Sequence, residues 1–137
     1  MNIADLIQLL LLLIAISTLT IVIYNFKQQL KESFFTDYTK RYQEIMLHLP
    51  EKYYTNEATY NELKDEAKAY LRAYFDLCSE EYFLKSTKKI DKDVWDNWKQ
   101  GIVYAFKKKV VLEAWNHFNQ ENYKDFSEWI NKEVITK

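Results

Sequence analysis

The chain holds one glycine, one proline and one cysteine in 137 residues. Hairpin turns draw on residues that accept positive φ, and a single glycine supplies little of that freedom, so a sheet of short hairpins is disfavoured. The same count excludes phosphate-binding loops that need several glycines. Pro50 is the only obligatory break in helical structure. Cys78, alone, permits no intrachain disulfide, which removes the disulfide-stapled class of exported domains. On a helical pattern it reads as a small buried hydrophobe. An excess of either charge is also missing: 19 basic and 20 acidic side chains leave a formal net charge of −1. That balance gives no drive toward nucleic acid, and no nucleic-acid partner is expected.

What the chain does have is a long apolar run and many rings. Leu6–Tyr24 is nineteen residues without a charge, long enough to cross a bilayer as one helix. No Lys or Arg precedes it, and Ile21–Phe26 offers no small-x-small exit, so it reads as an uncleaved anchor rather than a signal peptide. A buried helix of this composition would need a larger core than about 110 further residues can build. Residues 1–26 are therefore assigned to a transmembrane anchor and 27–137 to a helical domain. Lys27, Lys31, Lys40 and Arg41 follow the run, offset by Glu32 and Asp37, against Asp5 and the terminal amine before it. This small basic excess predicts that the C-terminal side faces the cytoplasm. Within the span, Gln8, Ser17, Thr18 and Thr20 are the polar members; they either hydrogen-bond across a helix pair or, the default for the serine and threonines, bond their own backbone.

After the anchor, apolar residues recur every three or four positions: Leu30, Phe34, Tyr38, Tyr42, Ile45, Met46 and Leu49. This predicts that the first helix continues without a linker as far as Pro50. A connection over Glu51–Thr55 then leads to a second helix, capped by Thr55 or Asn56 and carrying Tyr60 to Tyr82 on one face. After the polar break Lys85–Lys89, a third helix holds Val94, Trp95, Trp98, Ile102 and Phe106, with Asp91 or Asp93 as cap and Asp93-x-x-Asp96 resembling a capping box. Gly101 marks either a close approach of another helix or a bend. A fourth helix is expected over Val110–Asn119 and a fifth over Tyr123–Val134, capped by Asn122. The fold class is all-α: a single transmembrane helix continuing into a small irregular antiparallel helical bundle.

Chemical motifs are sparse. Glu44-x-x-x-His48 and Glu113-x-x-x-His117 each place a carboxylate and an imidazole one turn apart. Four such ligands on facing helices would hold a metal ion, but di-iron bundles use Glu-x-x-His with further glutamates. The spacing here is wrong, and no metal or other cofactor is expected. Glu80-Glu81 and Asp91, Asp93 and Asp96 are acid clusters, of which Asp91 and Asp93 are explained by capping. Trp95, Trp98, Trp115 and Trp129 are expected to form an aromatic core, and those left exposed are the best candidate interface residues.

The segment Tyr70–Phe83, with Tyr70-Leu71-Arg72-Ala73-Tyr74-Phe75-Asp76-Leu77-Cys78, and the segment Ile90–Ile102, with Val94-Trp95-Asp96-Asn97-Trp98, resemble small bacterial and phage-associated proteins of the DUF4760-like kind. Together with the anchor and the ending Phe126-x-x-Trp129-Ile130, the likeness spans most of the chain. The resemblance implies an N-terminal membrane helix, a helical domain of no assigned activity, and the bacterial inner membrane. It carries no functional residues across. The reading is a single-pass membrane protein whose cytoplasmic domain is a protein-interaction or scaffold module. Its partners would be the lipid bilayer and either a second copy or another membrane protein. The alternative is a small membrane-proximal enzyme or metal-binding helical protein.

Overall fold

The computed structural model describes residues 2–118 and 120–136. Every regular element among them is helical, and the chain divides into two compact units, Met1–Phe35 and Thr36–Lys137.

Helix α1 spans Ile3–Leu47. The Asn2 Oδ1 accepts the Asp5 N–H at 2.8 Å, and the Asp5 carboxylate accepts the Asn2 N–H at 3.0 Å. This reciprocal pair is a capping box, and it places an acid at the positive end of the helix. Thr18 and Thr20 donate to the carbonyls of Ile14 and Ile16 at 2.8 and 2.9 Å, as expected of hydroxyls in an apolar helix. No residue of the apolar window is buried, and the helix is long and apolar enough to cross a membrane.

The second unit begins inside α1 and continues with α2 (Glu51–Tyr54), a 3-10 turn (Tyr60–Glu62), α3 (Asp65–Ser86), α4 (Lys92–Ala105), α5 (Lys109–His117), a second 3-10 turn (Gln120–Tyr123) and α6 (Lys124–Ile130), which widens into a π turn over Asn131–Ile135. Helix α1 stops before Pro50, as the clash of proline with its predecessor requires. Glu51–Thr55 is not a plain connection, because Pro50, at φ −68°, leads directly into α2.

Other boundaries also differ from the periodicity. The stripe from Tyr60 to Tyr82 is not one helix. Leu63 is extended and α3 starts at Asp65. The Tyr60 N–H donates to the Glu113 carboxylate at 2.8 Å, which ties this stretch to α5 instead of to a helical ladder. Asn56 sits at φ 61°, and its Oδ1 accepts the Lys109 N–H at 3.3 Å. It therefore caps α5, from 53 residues away, and not the helix that follows it. Asp91 holds the N-cap position of α4. The Asp93-x-x-Asp96 box does not form, since Asp96 lies one turn further in and pairs with Lys92 at 2.6 Å. Helix α4 continues through Gly101, and a Cβ there would meet nothing within 4 Å, so the glycine marks no close approach of another helix. Helix α5 closes at His117; Asn119, the expected end, lies outside the described residues. Asn122 lies in the 3-10 turn, and Tyr123 holds the N-cap position of α6.

Helix α3 is central and packs against α4, α5 and α6. Its Leu71, Phe75, Leu77 and Cys78 are inaccessible, as are Val110, Val111, Ala114 and Trp115 of α5 and Phe126 and Ile130 of α6. The Trp115 indole lies 5.1 Å from the Phe75 ring, 5.6 Å from Phe106 and 5.6 Å from Phe126, in edge-on geometries. Such offsets place the positive ring edge on a negative ring face. Aromatic residues thus do what branched aliphatics do in most small cores.

Candidate functional site

The four tryptophans separate into different environments. Trp115 is fully buried and Trp95 nearly so. Trp129 is half-buried and packs on Tyr82 and Trp95 at 5.5 and 5.3 Å. Trp98 is also half-buried and lies 5.0 Å from the Tyr38 ring of α1. Trp115 and Trp95 therefore belong to the core, and Trp98 and Trp129 keep one accessible side. More exposed rings lie elsewhere: Tyr104 is 65% and Phe83 57% accessible, with Tyr42 and Tyr54 near half.

The two Glu–His pairs do not converge. The His48 Nδ1 lies 2.8 Å from the Glu44 carbonyl, and its ring stacks on Tyr70 at 4.1 Å. Glu113 accepts from Tyr60 and faces Lys109 at 3.6 Å, while His117 packs on Tyr60 at 4.7 Å. Among the described residues no three His, Cys, Asp or Glu side chains gather with metal-ligand spacing.

The lysine runs are also divided. Lys108 is buried; its Nζ donates to the Tyr53 carbonyl at 3.3 Å and lies over the Tyr53 and Tyr104 rings at 5.1 and 5.3 Å. Lys109 faces Glu113, so Lys107–Lys109 forms no common basic patch. Lys85 lies over the Tyr82 and Trp95 rings, and Lys89 over Phe83. A groove of about 370 Å³ opens beside the end of α1, floored by Leu49, Ala58, Leu63 and Ala67 and rimmed by charges of both signs.

A polar cluster lies where the last turns of α1 meet α3. Arg41 donates to both oxygens of Glu80, at 2.6 and 3.1 Å, and the Tyr38 hydroxyl donates to the same carboxylate at 3.2 Å. The guanidinium hydrogen bonds hold Glu80 below the usual carboxylate range. Its neighbour Glu81 is 6% accessible. Burial pushes the Glu81 carboxyl up to about 8, against the opposing pull of Arg41. One turn back, Cys78 is inaccessible, and burial raises its thiol well above the ordinary range. The thiol is therefore protonated and shielded, the opposite of a reactive nucleophile.

The sequence shows Glu80-Glu81 as an acid pair without separating the two. The available signal is position: Glu81 falls three residues after Cys78 on the stripe Leu71, Tyr74, Phe75, Cys78, whereas Glu80 falls off it. Lys108, in a run of three lysines, carries no comparable signal.

No protein-family model, no curated protein and no solved structure matches this chain. The geometry defines a packed all-helical domain joined to one helix of membrane-spanning length and apolarity.

Proposed function

We propose that this is a single-pass protein of the bacterial inner membrane, anchored by residues 3–24 of α1, whose cytoplasmic helical domain is a protein-interaction or scaffold module. The observation that carries the reading is the uncovered apolar span: Leu6 to Ile23 present large hydrophobic side chains to the outside on every face, a surface that is stable only in lipid or against another protein. The flanking lysines support a cytoplasmic domain, and the resemblance to DUF4760-like proteins supports the bacterial membrane. Supporting the module reading, the polar clusters are satisfied within the fold or dispersed. Half-buried Trp98 and Trp129, with exposed Tyr104 and Phe83, are the side chains suited to a partner.

Three measurements test this. The full-length protein, expressed in bacteria, is expected to stay in the pellet after alkaline carbonate extraction. A fluorescent reporter fused to the C-terminus should be active in the cytoplasm, and a phosphatase reporter should not. In mild detergent, light scattering should give a mass above the monomer, or cross-linking in membranes should give a discrete adduct. Release by carbonate would overturn the anchor. Phosphatase activity would overturn the orientation. A monomer without adducts would overturn the interaction module.

A further inference from the structure

The second unit carries opposite charge at its two ends, and the contacts between α1 and α3 fix which end is which. Tyr38 and Arg41 meet Glu80, the Tyr42 ring lies 6.2 Å from Tyr74, and the His48 ring lies 4.1 Å from Tyr70. Residue numbers rise along α1 as they fall along α3, so the two run antiparallel. The end at which the chain enters this unit, at Thr36, is therefore the end at which α3 stops and α4 starts. Residues 85–92, which turn between them, hold Lys85, Lys88, Lys89 and Lys92 against Asp91. At the opposite end, where α1 stops and α3 starts, residues 57–66 hold Glu57, Glu62, Asp65 and Glu66 against Lys64. Lys92 is engaged by Asp96 at 2.6 Å. Lys85, Lys88 and Lys89 are exposed, and no carboxylate among the described residues pairs with them.

We propose that the lysine turn 85–89 docks the helical domain on anionic lipid headgroups of the membrane that holds α1. This rests on the anchored, cytoplasmic reading above. Thr36 stands twelve residues after Tyr24, a helix rise of about 18 Å. The headgroup layer covers about 5–8 Å of that rise, and the negative potential of the leaflet reaches about 8 Å further at physiological salt. Lysine heads at the entry end therefore meet that potential. The acids lie beyond it, at the far end of the 22 residues of α3, which are about 33 Å long. The turn also presents its charge. Lys88 sits at φ 57°, with its N–H on the Lys85 carbonyl and the Lys89 N–H on the Leu84 carbonyl. Glycine closes a helix in this way without strain. Complementing the helix dipole explains Lys85 in the last turn of α3, but it does not call for a lysine at that φ. The Lys85 ammonium lies 5.2 Å from the Tyr82 ring and 5.8 Å from Trp95, and the Lys89 ammonium 5.6 Å from Phe83. These rings steady the cations without neutralising them.

Tryptophan quenching on the full-length protein in vesicles tests it, with a nitroxide on the lipid headgroup as quencher. The anchor holds no tryptophan, so the emission reports on the domain, and Trp95 lies beside Lys85. Quenching should be stronger in mixed phosphatidylcholine–phosphatidylglycerol vesicles than in phosphatidylcholine alone, and about 1 M salt should remove the excess. Each lysine at the surface shifts the contact about fivefold, so Lys88→Asn with Lys89→Gln should weaken it about 25-fold. Asparagine is chosen because it tolerates the left-handed φ. Lys52→Gln with Lys64→Gln, the same charge change toward the acidic end, should leave the excess intact. Hydrogen exchange then locates the contact: anionic lipid should slow peptides over 84–93 and leave 57–66 and the core at 110–115 unchanged. Docking is overturned if neutral and anionic vesicles quench equally, if the control pair lowers the excess as much as the turn pair, or if 57–66 or 110–115 slow in step with 84–93. Should the turn pair fail to fold, the wild-type lipid dependence and peptides decide. Flotation with phosphatidylcholine vesicles at about 1 M salt tests the anchor by itself. Protein that fails to float refutes the anchored reading, whereas protein that floats without an anionic excess refutes docking alone.

Discussion

Replacing Phe75 by leucine isolates what aromatic packing contributes to this core. Phe75 is fully buried on the central helix and meets four rings: Phe106 at 5.8 Å, Trp115 at 5.1 Å, Phe118 at 5.8 Å and its neighbour in sequence, Tyr74, at 6.0 Å. Leucine keeps most of the apolar area but none of the ring-edge geometry. Pairs of this kind contribute about 0.5–1.5 kcal/mol each beyond area burial. The four share one ring and do not add, and the smaller side chain also leaves a void. A loss of about 2–3 kcal/mol follows. For a domain of about 100 residues this lowers Tm by roughly 10–20 °C. The matching control is Phe83→Leu, on the same helix but 57% accessible, where the change should stay within about 0.5 kcal/mol. Thermal unfolding followed by far-UV circular dichroism reads both variants. Equal shifts for the two would refute the reasoning, because stability would then follow composition and not the ring assembly around Trp115.

Gly101→Ala should raise stability by about 0.5–1 kcal/mol, since the helix runs through open space there and alanine restricts the unfolded chain; denaturant midpoints at unchanged slope measure it, and a loss would mean a hidden close approach. Asn56→Ala removes the cap on α5 and puts a Cβ-bearing residue without a polar side chain at φ 61°. It should lose about 1–2 kcal/mol, and Asn56→Gly less, because glycine accepts that φ freely. Glu81→Gln should flatten the pH dependence of global stability. The wild-type carboxyl is raised to about 8 in the fold, so its contribution is whole below the unfolded value near 4.5, falls as pH rises toward 8 and is constant above. At pH 8.5 the variant should be more stable by up to about 4 kcal/mol and at pH 4 nearly equal. Parallel stability curves across that range would show that Glu81 does not titrate in the folded protein.

Much of the architecture is legible in the sequence because burial is periodic. The stripe through Leu71, Phe75 and Cys78, the apolar positions of α4 and α5 and the unbroken length of α1 follow from spacing alone. What spacing cannot show is which element supplies a missing hydrogen-bond partner. Asn56 looks like a cap for the next helix because N-cap chemistry is read locally, yet its side-chain Oδ1 accepts from the Lys109 N–H. Tyr60 looks helical because it stands three residues before Leu63 and seven before Ala67, yet its N–H goes to Glu113. Both cases involve long-range partners overriding a local preference. The same limit applies to the charged groups. A carboxylate and an ammonium look solvated in a string of letters: position on the apolar stripe separates Glu81 from Glu80, but only packing distinguishes Lys108 from Lys107. For the tryptophans, periodicity identifies a face but not its depth, which is why one set of four divides into core and partly open members.

The ring assembly also makes this protein its own spectroscope. Tyr82, Trp95 and Trp129 lie 5.3–6.0 Å apart, and Trp115 is enclosed by Phe75, Phe106, Tyr123 and Phe126. Chromophores fixed at such separations in an asymmetric setting couple their transitions and give structured near-ultraviolet circular dichroism. That signal vanishes when side-chain packing melts while helices persist. Loss of tertiary order can thus be followed without a label, separately from the helical signal, to which α1 makes the largest single contribution.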